Sequence, residues 1–257
     1  MQMKKTDLIY GIHAVESLLV NQPDSLLRLT VAEGKADQRV IPLLEQAGRF
    51  GISVKKLPRK ELDLMCPAGR HQGVIATVTA RTQEMSEKTL PAFLEALDEP
   101  AFLLVLDGVQ DPHNLGACLR TADAAGVHAV ILPKDRAVGI TPVVHKVASG
   151  AVQSVPVFTV TNLARTLRQL KDAGIWLYGA SDAADEVLYA TDLGGPAAFI
   201  LGSEGKGLRR LTLELCDYLV AIPMAGQVES LNVSVAAGVL LFEARRQRDI
   251  KSNKNNK

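Results

Sequence analysis

Three short polar stretches hold the residues whose types and spacing can do chemistry. The first is Asp107-Gly-Val-Gln-Asp-Pro-His-Asn-Leu-Gly-Ala-Cys-Leu-Arg120. Asn114 suits a helix N-cap, Gly116 leaves the first turn bare for a close approach, and Arg120 projects from the following turn. A capped helix with one solvated Arg explains Asn114, but such a helix needs fewer turn-forming polar residues than this stretch has. The second is Leu201-Gly-Ser-Glu-Gly-Lys-Gly-Leu208, which reads either as a flexible loop or as backbone amides and Glu204 gathered at a strand end. The third is Ile222-Pro-Met-Ala-Gly-Gln-Val-Glu-Ser-Leu-Asn232, where Ser230 or Asn232 can cap the uncharged helix Val233–Phe242 that follows. Loops at the ends of buried strands are where α/β folds place ligands.

Two ligand classes are excluded by near misses. Gly202 and Gly207 have phosphate-loop spacing, but Leu208 stands where that loop needs a Lys. Gly205-Lys206-Gly207 begins a dinucleotide fingerprint, but Arg210 replaces its third Gly. Cys66, Cys118 and Cys216 form no C-x-x-C pair, and the five histidines show no metal-ligand spacing. A reducing compartment fits the cysteines.

The elements that must position these loops alternate. Ala101–Leu106 is a continuous apolar run, as in a strand buried on both faces. Leu115–Ala125, Thr141–Ser149 and Leu163–Ala173 read as helices, and Ala129–Leu132, Val155–Thr159, Ile175–Ala180, Ala197–Leu201 and Tyr218–Ile222 as strands. This rhythm predicts a mostly parallel sheet covered by helices. Ahead of it, Gly11–Leu19 and Asp37–Gly48 read as helices, and Leu27–Ala32, Ile52–Leu57 and Gly73–Val78 as strands of a small α/β module. Residues 81–98 read as a charged linker and a short helix.

The 257 residues, 47% of them hydrophobic, suit one large domain or two smaller ones. No uncharged apolar run is long enough to span a bilayer, and the N-terminus reads as the start of a folded domain, not as a signal peptide. Net charge is +1, but residues 1–80 hold 11 Lys and Arg against 8 Asp and Glu. A modest basic surface on the front module permits RNA binding. The run Arg245, Arg246, Arg248, Lys251, Lys254, Lys257 reads as a frayed, solvated tail.

The three stretches resemble the three sequence motifs of the SpoU family of RNA ribose 2′-O-methyltransferases, of the SPOUT superfamily. Asn114-x-Gly116-x-x-x-Arg120 resembles the first, Leu201-Gly-Ser-Glu-Gly205 the second, and Ile222-Pro-Met with Ser230-Leu-Asn232-Val-Ser234 the third. Tyr10–Leu19 and His71–Ala76 resemble the family's RNA-binding module. The resemblance implies an α/β fold with a trefoil-knotted methyltransferase domain over 99–248. Ahead of it would lie an RNA-binding domain over 1–80 and a linker over 81–98, and behind it a basic tail over 249–257. It implies S-adenosylmethionine held largely by backbone groups, beside Leu201, Gly202, Ile222, Met224, Gly226 and Leu231, with no metal. It implies a catalytic set of Arg120, Asn114, Glu204, Ser230 and Asn232. Arg120, always protonated, would hold phosphate or stabilise the ribose alkoxide, since base action by an Arg is physically demanding. Arg28, Lys55, Lys56, Arg59, Arg70 and His71 would grip the RNA. A cytoplasmic homodimer with a shared site follows from the same resemblance. The likeness is greatest to members that methylate a guanosine ribose in the peptidyl-transferase P loop of 23S rRNA. A tRNA-directed relative and a non-catalytic ribosome-assembly factor are the alternatives; intact Asn114, Arg120, Glu204 and Asn232 favour an enzyme.

Overall fold

The computed structural model describes residues 6–21, 23–34, 38–67, 70–79, 84–182, 184, 186–203, 205 and 207–255. The chain divides into two compact units, Met1–Thr82 with Ile140–Ser154, and Gln83–Gly139 with Val155–Lys257.

In the first unit, β1 (Thr6–Tyr10), α1 (Ile12–Asn21), β2 (Leu26–Ala32), α2 (Ile41–Arg49), β3 (Ser53–Leu57), α3 (Arg59–Met65) and β4 (Val74–Thr79) form a small α/β fold. The sheet order is β1-β4-β2-β3. β4 is antiparallel to both neighbours, and β2 runs parallel to β3. Alternate residues turn inward to a core that includes Ile9, Val15, Leu19, Leu29, Leu43 and Val74. β3 is an edge strand with exposed Lys55 and Lys56, charges that discourage pairing with a further strand. The segment 140–154 packs with this unit. It carries two helices numbered in chain order below.

In the second unit, β5 (Glu84–Ser86), α4 (Leu90–Glu95), β6 (Phe102–Asp107), α5 (Pro112–Ala125) and β7 (Ala129–Pro133) come first. After α6 (Pro142–Ala148) and α7 (Ala151–Ser154), which belong to the first unit, the chain continues through β8 (Val157–Val160), α8 (Leu163–Asp172), β9 (Trp176–Ala180), β10 (Glu186–Val187) and β11 (Ala197–Gly202). It ends with α9 (Arg210–Leu215), β12 (Tyr218–Ala221) and α10 (Val233–Asn255). The strands form one sheet in the order β10-β12-β9-β11-β6-β7-β8-β5, and every pair is parallel. All residues of β6 and β7 are buried, as their unbroken apolar runs require.

Several elements depart from the sequence reading. Within 81–98, β5 pairs with β8, so this part of the expected linker belongs to the sheet. Asn114 is not the N-cap of α5. Asp111 is, its carboxylate accepting from the His113 N–H at 2.8 Å with Pro112 as the first helical residue. The expected basic tail over 249–257 is instead helical through Asn255. Pairs one turn apart support it, Arg246–Glu243 at 2.7 Å and Arg245–Asp249 at 3.0 Å, and Lys251 reaches Asp192 at 2.7 Å. No described helix is long and apolar enough to cross a membrane.

Arg248 ties α10 to the beginnings of β6 and β11. It is 8% exposed and lies 4.9 Å over the Phe102 ring. Its guanidinium donates to the carbonyls of Gly195 at 2.7 Å, Ala101 at 3.4 Å and Pro100. Burial lowers its pKa from the usual arginine value, and the three carbonyls offset the cost of burying the charge. Arg248→Met keeps an apolar stem but strands those acceptors. It is expected to lower unfolding stability by about 2–3 kcal/mol in urea denaturation; an unchanged midpoint would refute the docking role.

Candidate active site at the strand ends

Parallel pairing gathers the three sequence stretches at one edge. β9 lies between β11 and β12, and β11 pairs with β6, so Ala180, Gly202, Ala221 and Asp107 all end strands on the same side of the sheet. Gly202 sits opposite Asp107 in the ladder. Beyond Gly202 the loop folds back at once. Ser203 and Gly207 exchange backbone hydrogen bonds at 3.2 and 2.9 Å, with Gly205 at φ +72° and Gly207 at φ +62°. A Cβ on Gly202 would collide with the Gly207 carbonyl and the Leu208 nitrogen, so only glycine fits this turn. Glu204 and Lys206 lie outside the described residues.

Asp107 ties the first stretch to the end of the second. It is 1% exposed. Its carboxylate accepts from the Thr212 hydroxyl at 2.7 Å, from the Arg209 N–H at 3.3 Å, and from the Arg209 guanidinium, with which it forms an ion pair. A buried carboxylate is tolerable only with such a full set of donors. Arg209 and Thr212 were not singled out from sequence. Nothing in the pair Arg209-Arg210 distinguishes the residue that turns inward from the one that pairs with Glu214 at the surface.

Asn114 and Asn232 join the first stretch to the third. The Asn232 side-chain NH2 donates to Asn114 Oδ1 at 3.0 Å. Asn232 Oδ1 accepts from the Ser234 N–H at 2.9 Å and the Ser234 hydroxyl at 2.6 Å, so Asn232 caps α10 and Ser230 stays exposed. Asn114 is buried in the first turn of α5. Arg120, six residues on, is turned about 120° around the helix from it. Arg120 is exposed, and among the described residues it has no hydrogen bond or ion pair. The structure therefore pairs Asn114 with Asn232 but leaves Arg120 apart from them.

The residues expected beside a cofactor divide. Leu201 is 2% exposed and belongs to the core. Gly202, Ile222, Met224 and Leu231 are half-buried, and Gly226 is exposed. Residues 222–232 form neither helix nor strand. Burial pushes the Cys216 thiol up to about 12, which leaves no thiolate for chemistry there. A cleft of about 690 Å³ beside the first residues of β9 and β12, lined by Trp176, Tyr178, Tyr218 and Lys251, lies away from the three loops.

The expected RNA-gripping residues also divide. His71 is 2% exposed and cannot face RNA. Its Nδ1 accepts from the Gly73 N–H at 2.9 Å, which puts its proton on Nε2, donated to Asp63 at 2.8 Å. The strand pleat then separates the cations. Lys55 pairs with Thr30 and Arg28 with Ser53 on one face, while Lys56 pairs with Val31 on the other. Arg70 is exposed.

Comparison with known proteins covers nearly the whole chain. A family model described as the SpoU rRNA methylase family matches residues 101–242, and one for RNA 2′-O ribose methyltransferase substrate binding matches 8–84. The chain is 55% identical over 246 residues to a 23S rRNA (guanosine-2′-O-)-methyltransferase of Shewanella oneidensis, covering 96% of this chain and 99% of that protein. The corresponding protein of Escherichia coli is 50% identical, covering 95% and 99%. The crystal structure of an RNA 2′-O ribose methyltransferase superposes with a TM-score of 0.78 at 30% identity, over 95% of this chain and 90% of that one. The AviRb methyltransferase of Streptomyces viridochromogenes, in complex with AdoMet, shares the fold, with a TM-score of 0.76 at 24% identity, covering 95% and 91%.

Two glycine substitutions separate a constrained turn from a free one. Gly202→Ala is expected to cost about 1–3 kcal/mol of stability through overpacking. Gly226→Ala, with open space around it, should stay within about 0.5 kcal/mol of wild type. Equal melting temperatures for the two variants would refute the tight fit at Gly202.

Proposed function

The chain belongs to the SpoU rRNA methylase family, and we infer that it transfers a methyl group from S-adenosylmethionine to the 2′-hydroxyl of a guanosine ribose in 23S rRNA, in the peptidyl-transferase P loop. The observation that carries this reading is end-to-end identity of 50–55% with proteins named for that reaction. A site built at three strand ends, with neither a phosphate-loop Lys nor a third fingerprint Gly, suits a cofactor bound mainly by backbone.

The residues fit such a group. Among the described residues, 223–231 make no backbone–backbone hydrogen bonds, so their amides and carbonyls can meet a polar adenosine. Ile222, Met224 and Leu231 offer half-buried apolar contact, and Gly202 keeps the loop wall free of side chain. S-adenosylmethionine supplies an electrophilic sulfonium methyl. The ribose hydroxyl is a weak nucleophile at neutral pH. In this reading Arg120 stabilises the alkoxide that develops as the hydroxyl attacks, and holds the adjacent phosphate. The Asn114–Asn232 bond holds the start of α5, which carries Arg120, against the start of α10. Glu204 and Ser230 orient the ribose. Alignment of the two substrates supplies much of the rate.

Three further features belong to the same reading. β12 lies on the far side of β9 from β6, yet α10 returns to pack on α5, which follows β6. That crossing supports a chain threaded through its own loops, the trefoil knot. Val235 and Phe242, each 51% exposed and seven residues apart, form an apolar stripe on α10. The stripe supports a homodimer, in which the solvent-facing Arg120 serves a shared site. The protein works in the cytoplasm, where its RNA is made.

Labelled methyl transfer to 23S rRNA transcripts tests the activity. Transfer to tRNA alone would favour the tRNA-directed relative, and no transfer at all the assembly factor. Arg120→Ala is expected to lower kcat by about 10²–10³-fold with S-adenosylmethionine affinity unchanged; full turnover would remove Arg120 from the mechanism. Phe242→Glu should shift the molecular mass by light scattering from two chains to one. A wild-type mass of one chain would refute the dimer.

A further inference from the structure

A cleft of about 390 Å³ opens in the first unit where β2 and β3 end and β4 begins. Among the described residues, Arg39, Lys56 and Arg59 line it, with Glu33 as the acidic side chain and Gly34 and Gly73 as bare backbone. Lys56 and Arg59 are exposed, and neither has an ion pair among the described residues. The first turn of α2, whose N-cap Val40 makes no side-chain cap, borders the same cleft through Val40 and Leu44. That end of the helix adds the positive pole of its dipole to the cations.

We propose that this cleft is the anchoring subsite for the sugar–phosphate backbone of the RNA, with Lys56 and Arg59 on the phosphates. The inference rests on the reading that the protein acts on RNA. Among the described residues no aromatic side chain lines the cleft, which suits backbone and not a stacked base. Its volume and open cationic rim suit a polymer strand more than a single inorganic phosphate.

The floor is set before any RNA arrives. Gly73, at φ +83°, gives its N–H to His71, and His71 in turn holds Asp63 of α3. Gln72, at φ +53°, accepts from the Ile12 N–H at 3.1 Å through its side-chain oxygen. These bonds fix the loop against α1 and α3, so binding costs little ordering at this wall. His71, buried and away from the RNA, is thus a positioning residue for the cleft.

The test uses the full chain and 23S rRNA fragments in filter binding across a salt series. Lys56→Ala/Arg59→Ala should weaken RNA binding by about tenfold or more, and make the salt dependence shallower by about two released counterions. Its S-adenosylmethionine affinity should match wild type. Arg28→Ala/Lys55→Ala, on the opposite face of the same strands, should stay within about twofold of wild type. Lys56→Gln/Arg59→Gln repeats the measurement should the alanine pair fold poorly. Wild-type affinity and salt slope in the Lys56/Arg59 variants, or an equal loss in the Arg28/Lys55 pair, would overturn the proposal. So would displacement of RNA by inorganic phosphate beyond that by chloride at equal ionic strength, which would mark a small-anion site. Failure of the wild type to methylate RNA would instead strike the functional reading and leave this comparison of binding intact.

Discussion

Asp107 carries a carboxylate with almost no access to water, and its oxygens are satisfied only because Thr212 and Arg209 come to them. An unpaired charge at that depth would be very costly. Neither donor is near Asp107 in sequence. The carboxylate therefore forces the chain after the Gly202–Gly207 turn to return beside the end of β6. The turn itself depends on Gly202, whose missing side chain lets the loop fold back against its own strand. The remaining site geometry follows from these two constraints and from parallel pairing, which puts the ends of β6, β9, β11 and β12 on one edge.

The last helix closes the second unit from the other direction. Its N-terminus is tied at the site through Asn232 and Asn114, and its middle is held at the opposite ends of the strands by Arg248. One helix thus spans from the loops to the beginnings of β6 and β11. A shift of α10 along its axis would break both connections together. This links the site to an arginine that would pass, in sequence, for part of a solvated basic tail.

Much of this was legible beforehand, and the failures have physical causes. Long apolar strands and helices with clear periods were read well, because burial on both faces or on one stripe imprints itself on the amino-acid order. β1, β5, β10, α3, α7 and α9 were missed. They are short, from two to seven residues, and several are too polar to show a period, so tertiary pairing supplies their stability. By residue type Asn114 suits a cap. Asp111-Pro112 starts the helix instead, which releases Asn114 to bond across 118 positions. His71 is among the residues that the resemblance puts on the RNA, but both of its ring nitrogens are engaged internally.

The order of residues alone determined the alternation of strands and helices, the three polar loops and the ligand classes they exclude, since these depend on local propensity, period and spacing. It also carried the family resemblance, through motif residues that can be read without coordinates. Only the tertiary structure decided which polar groups meet. Asp107 with Arg209, Asn232 with Asn114, and Arg248 with three carbonyls are contacts between distant positions. It likewise assigned Lys55 and Lys56, neighbours in sequence, to opposite faces, because pleat and pairing register exist only once the strands are joined.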